Sequence, residues 1–143
     1  MKTLNELLDQ AAQNSHSSMG LITAEEKISY AELKTRVLSI ATALKERGVR
    51  FGDRVAIIHR NSPAFIEAYF ALSRLGAIAV PINYMIHNPE ELAYMLNDCA
   101  ALGVVTQKEE PPRASNPKPR GHPVVAPRPL PNARFRDNQK QFP

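Results

Sequence analysis

Residues 54–82 read RVAIIHRNSPAFIEAYFALSRLGAIAVPI, and they decide the fold. The first five are mostly aliphatic and rich in β-branched side chains with no polar alternation, the pattern of a strand covered on both faces. Ser62 has the chemistry of a helix N-cap, and Pro63 falls in the first turn, where a missing N–H is harmless. Phe65, Ile66, Tyr69, Leu72 and Leu75 recur at helical spacing and are expected to line the inner side of that helix, and Gly76 offers a left-handed stop. AIAVPI, residues 77–82, is a second aliphatic strand. Strand, helix and strand with short connections make a right-handed crossover between parallel strands.

Outward from this unit the pattern continues. On the C-terminal side Asn88, Pro89 and Glu91 have the spacing of a capping box for PEELAYMLNDC, and GVVT supplies one more strand. On the N-terminal side Ser29 and Glu32 repeat the box ahead of Leu33, Val37, Ile40, Ala41 and Leu44, and Gly48 stops that helix. Thr3 and Glu6 open a helix over residues 4–13, MGLITAEEKISY reads as two short strands around a polar turn, and Gly52-Asp53 is a further turn. The fold class is α/β, a partial three-layer sandwich with parallel strands and crossover helices, followed by a disordered tail. Three parallel strands are few, so the body reads as part of a larger domain. An unpaired strand edge and uncovered Phe65, Tyr69 and Leu72 are expected, with poor solubility, aggregation or non-specific self-association as the consequence.

The pattern ends after Gln107, where KEEPPRASNPKPRGHPVVAPRPLPNARFRDNQKQFP follows. Residues 1–107 carry ten Lys and Arg against eleven Asp and Glu, whereas residues 108–143 carry eight against three. The basic character therefore belongs to the tail, and nucleic-acid binding by the body is not expected. Two segments result, residues 1–107 as the folded part and residues 108–143 as a Pro/Arg-rich, disordered or frameshifted tail. No two tail prolines stand three apart, so the P-x-x-P face of a polyproline ligand is absent, and Phe135 and Phe142 alone offer base stacking. A single cysteine, Cys99, permits no internal disulfide and suits a reducing compartment. With no signal-peptide pattern at the N-terminus and no apolar run of bilayer length, a cytoplasmic location is expected.

The motifs of nucleotide and nucleophile chemistry are missing. No G-x-x-x-x-G-K-[ST], no G-x-G-x-x-G after a strand and no G-x-S-x-G occurs. Gly48, Gly52 and Gly76 fall at element ends and serve turns or caps. His16, His59, His87 and His122 are far apart, and none has a metal-ligand spacing to Cys, Asp or Glu. His59-Arg60-Asn61 lies past the carboxyl end of a parallel strand, where open α/β sheets place ligands, yet the same residues also prepare the next helix. Glu90 and Glu91 sit in a first helical turn and read as capping residues, not a catalytic pair.

Taken together, SYAELKTRV, GVRFGDRVAI, NSPAFIEAYFALSRLGAIAVPIN and NPEELAYMLND resemble, in order and spacing, the N-terminal region of adenylate-forming enzymes, the AMP-dependent synthetase and ligase family that includes acyl-CoA synthetases. The resemblance covers residues 1–107. It implies a parent reaction in which a carboxylic acid, ATP with Mg, and CoA give acyl-CoA, AMP and pyrophosphate. The family's Ser/Thr/Gly-rich phosphate loop, its aromatic and Thr-Glu motif, its ribose-binding aspartate and its C-terminal catalytic lysine have no counterpart here. No catalytic, cofactor-binding or metal residue is therefore carried over. Some CoA ligases bear a basic residue two positions after the asparagine of a VPIN-like segment; here Asn83 is followed by Tyr84 and Met85, which resembles ligases of fatty or other apolar acids.

The sequence thus leads to a truncated fragment of a fatty-acid-type acyl-CoA synthetase, inactive alone and binding no cofactor itself, with a frameshift near Gln107 as the origin of the tail. The alternative is a non-catalytic interaction module whose basic tail binds an acidic partner or nucleic acid. A complete small nucleotide-binding domain would need a phosphate-cradling loop after one of the strands.

Overall fold

The structure, a computed structural model, describes residues 3–107 and the strand at 124–126. In chain order it comprises α1 (Leu4–Asn14), β1 (Met19–Ile22), β2 (Lys27–Ser29), α2 (Tyr30–Glu46), β3 (Arg54–Ile58), α3 (Pro63–Arg74), β4 (Ile78–Pro81), α4 (Pro89–Asp98), β5 (Gly103–Thr106) and β6 (Val124–Ala126). β1 and β2 form a separate antiparallel pair. The main sheet runs β4-β3-β5-β6, with β4 and β5 parallel to β3 and β6 antiparallel to β5.

Each helix starts where the sequence places a cap. Thr3 Oγ1 accepts from the backbone of Glu6, whose carboxylate accepts in return from Thr3 N, a complete capping box. Ser29 and Asn88 also cap, but the reciprocal half of the Ser29 box is replaced: Glu32 turns its carboxylate to Arg36 instead. Charge pairing one turn along the helix outcompetes a neutral backbone donor. At the other ends, Gly48 and Gly76 take positive φ, and the residues after them donate back to Leu44 and Leu72, which closes both helices with Schellman motifs. α4 ends in the same bond pattern, Ala101 to Leu96, but with Ala100 at φ 49°, a left-handed alanine that no glycine signalled.

Alternation along the strands divides the interior in two. Val55 and Ile57 of β3 and Val105 of β5 face α1, α2 and α3, where Leu33, Val37, Leu44 and Leu72 complete the larger core. Ala56 faces the opposite way and meets Leu96 of α4 and Ile82, with Ile58, Val80 and Val104 around them. Helices on both faces of a parallel sheet are the three-layer arrangement expected from the sequence.

Three expectations need correction. Leu72 is fully buried and Phe65 packs at the margin of the larger core, so of the three residues expected to be uncovered only Tyr69 is exposed. α3 instead turns Ala68, Ala71, Leu72 and Glu67 inward, because small side chains there and Ala41 on α2 let the two helices approach. An open strand edge was expected: the outer edge of β4 has no partner among the described residues, whereas β5 is paired with Val124–Ala126, so at these three residues the tail carries a strand. The rest of the disorder expectation for residues 108–143, together with the frameshift it was tied to, lies outside the described residues. Cys99, at the end of α4, is half-buried with its thiol directed at Leu96 O. Among the described residues no helix is long and apolar enough to cross a membrane.

Two charged nodes tie the outer elements together. Arg36 reaches Glu26 before β2 and Glu32 on its own helix, and it donates to Glu67 of α3 at 3.2 Å. Burial disfavours its charge, but the three carboxylates outweigh that and hold the guanidinium above its ordinary range. Asp9 of α1 accepts from Arg74 of α3 at 2.8 Å and pairs with Lys34 of α2 at 3.0 Å; these bonds, Arg74 first, hold its carboxyl below the usual value. Since Glu67 is only 6% exposed, withdrawing the Arg36 guanidinium removes a charge-assisted bond from a desolvated carboxylate. Arg36→Met is predicted to cost about 2 kcal/mol, less than for a fully buried pair because Arg36 itself meets solvent. The thermal midpoint should fall by roughly 10 °C; a midpoint unchanged in a melting curve would contradict this role.

Candidate functional site

The carboxyl ends of β3, β4 and β5 come together at one end of the sheet, and the chain leaves them as 59–62, 82–88 and Gln107. β3 leads to a helix on one face and β4 to a helix on the other. Such an end of an open parallel sheet is where ligands sit in α/β proteins. The side chains gathered there are His59, Arg60, Ser62, Asn83 and Gln107.

The local bonds show what each group is already doing. His59 is nearly buried, and its Nδ1 lies 2.9 Å from the carbonyl oxygen of Arg60 and 3.1 Å from Ser62 Oγ. A carbonyl oxygen only accepts, so Nδ1 carries the proton, and in the neutral ring Nε2 is the remaining acceptor. Ser62 Oγ also accepts from Phe65 N at 3.3 Å, the N-cap bond of α3. His59 and Ser62 are thus one capping unit, which places the histidine singled out from the sequence in a structural role. Arg60 extends across the crevice and donates through Nε to Gln107 Oε1 at 3.0 Å, linking the ends of β3 and β5. Asn83 turns its oxygen to Met85 N at 3.0 Å, which shapes the loop after β4 and leaves Tyr84 and Met85 exposed.

The remaining candidates are not brought to this end. Glu90 and Glu91 offer their backbone N–H groups to Asn88 Oδ1, which puts them in the first turn of α4, but only the Asn88 half of the expected capping box is formed. His16 and His87 lie on the exposed surface, and His122 is outside the described residues. Among the described residues no group of three or more His, Cys, Asp or Glu is placed to hold a metal ion. The donor set at the crevice, one arginine committed to a glutamine and a histidine committed to a helix cap, includes no carboxylate for Mg and no glycine for close approach of a triphosphate. These residues do not fit ATP with Mg.

Sequence reasoning did not find Glu67, the buried acid that answers Arg36. Its signal was a lone carboxylate within the apolar run AFIEAYFAL, which reads as an exposed position until the helix face is known.

The family model described as AMP-binding enzyme matches residues 8–141, a span that includes most of the segment after Gln107. The chain is 45% identical over 82 residues to a feruloyl-CoA synthase from Amycolatopsis sp, covering 57% of this chain and 16% of that protein. It is 30% identical over 109 residues to a 2-succinylbenzoate–CoA ligase from Bacillus thuringiensis, covering 76% of this chain and 22% of that protein. The inhibitor-bound N-terminal domain of FACL13 from Mycobacterium tuberculosis superposes with a TM-score of 0.70 at 29% identity, over 74% of this chain and 27% of that one. The chain therefore spans about a sixth to a fifth of the length of these curated relatives.

Because the cap and the histidine share Ser62 Oγ, Ser62→Ala is predicted to destabilise the protein by about 1 kcal/mol. Protection of the Phe65 amide against hydrogen exchange should fall without vanishing, because Ser62 O also accepts from it at 3.1 Å, and Ser62→Thr should retain both stability and protection. Equal stability of the alanine and threonine variants would contradict the shared cap.

Proposed function

Because the chain belongs to the AMP-binding enzyme family, we propose that it is the N-terminal region of an ATP-dependent acyl-CoA ligase and that it has no ligase activity by itself. The parent reaction joins a carboxylic acid to CoA through an acyl-adenylate and releases AMP and pyrophosphate. ATP, Mg and CoA are cofactors and co-substrate of that whole protein, acting in a cytoplasmic setting.

One observation carries the reading: among the described residues the matched region builds a crossover sheet whose ligand end has a single arginine, already bonded to Gln107, and no carboxylate for Mg. Residues 54–106 supply strands and helices that shape a domain. The groups that meet ATP in this family's chemistry would have to come from elsewhere. In this division of labour the present residues act as scaffold, and His59, Ser62, Arg60 and Gln107 fix the loops at the sheet's ligand end.

The acid is proposed to be apolar and of the fatty-acid type. Tyr84 and Met85, exposed in the loop after β4, put apolar surface where a basic residue would favour a phosphate. The relatives are named for other acids, one a feruloyl-CoA synthase and another a 2-succinylbenzoate–CoA ligase. The class is drawn from the loop, and chain length is left to the parent enzyme.

Pyrophosphate release with ATP, Mg, CoA and a panel of fatty and aromatic acids tests the proposal. A preparation of this chain free of full-length ligase should show no acid-dependent release above background. Robust, acid-dependent turnover from such a preparation would overturn it.

A further inference from the structure

We infer that the outer edge of β5 is a self-association surface, that its partner is the β5 strand of a second copy of this chain, and that β6 keeps it closed. The observation is the direction of β6. Every other addition to the main sheet is parallel, whereas β6 pairs antiparallel, Val104 with Ala126, Val105 with Val125 and Thr106 with Val124. The edge therefore accepts an antiparallel strand, which is the relation a two-fold axis creates between two copies of β5.

The residues suit that role. β5 is GVVT, already fixed on its inner side by four register pairs with β3, so its outer N–H and C=O groups are held in line for pairing. It presents four residues, one more than β6. β6 is limited to three because Pro123 and Pro127 flank it in the sequence, and proline cannot donate to a ladder. A three-residue ladder with a net gain of about 0.5–1.5 kcal/mol per bond is a weak closure.

Mass action decides which strand wins. β6 belongs to the same chain as β5, so its pairing is intramolecular and does not weaken on dilution. A second copy at micromolar concentration does not compete with it. The intact chain is then closed at β5, and loss of β6 pairing opens the edge to a second molecule. This surface is independent of the ligase reading.

The test compares the full chain with its Val125→Pro variant by sedimentation velocity from about 1 to 100 µM, an interval over which an intermolecular pairing depends on dilution and an intramolecular one does not, with amide exchange at Val104–Thr106. The intact chain should show no β5-mediated dimer over this interval. The variant should form a concentration-dependent dimer in which the β5 amides gain protection as the dimer forms. A synthetic peptide of residues 122–128 in millimolar excess should dissociate it. The inference is overturned by a variant that stays monomeric with exposed β5 amides, or by an intact chain that dimerises as readily as the variant. It is equally overturned if Val125→Pro removes protection of the β3 amides, since β6 would then belong to the folding core and not be a detachable closure.

Discussion

The structure depends on burying β3 on both faces while pairing it on both sides. Val55, Ala56 and Ile57 have no exposed surface, and successive side chains feed opposite cores. A strand so placed has no tolerance for polar side chains or for a shift of register, because a one-residue slip would exchange the contents of the two cores. Ladders to β4 and β5 satisfy its backbone, and the two connecting helices supply cover on each face. The short connections leave the chain one handedness in which to do this.

Around that strand the outer elements are positioned partly by charge. Arg36 and Asp9 each reach two other elements, so α1, α2, α3 and the β1–β2 pair are held in a fixed relation although their contacts with the sheet are uneven. Most of these charges meet solvent and contribute modestly. Glu67 is different, because it is buried on α3 and accepts from Arg36 of α2, thirty-one residues earlier in sequence. Apolar contact holds the layers together, and such a buried pair fixes how α2 and α3 align.

Much of this was legible in the sequence because its signals are local. Ser62-Pro63, Asn88-Pro89 and Thr3 through Glu6 mark helix starts by bonds that span three residues, and Gly48 and Gly76 mark ends by backbone conformation. What could not be read depends on distant partners. The inward face of α3 was read in part: Leu72 is buried and Phe65 and Leu75 pack against the core, but Tyr69 is exposed and Ala68 and Ala71 are the buried neighbours, small side chains that let α2 approach. β6 was missed because Val-Val-Ala between prolines is too short to signal a strand without the open edge of β5 beside it. Ala100 closes α4 in a conformation that favours glycine, so no residue type announced it. At the sheet's ligand end the candidate His59 was seen, but its service to the α3 cap emerges only from where Ser62 Oγ lies.

Over the described residues, the family's scaffold is specified by helix caps and by a strand buried on both faces. That scaffold stands or falls with β3. Native-state hydrogen exchange read residue by residue tests it most directly. The amides of Val55, Ala56 and Ile57 should be the slowest in the chain and should exchange only with global unfolding, well behind those of β6 and the β1–β2 pair. Exchange of the β3 amides as fast as that of β1 and β2 would contradict the claim that this doubly buried strand organises the fold.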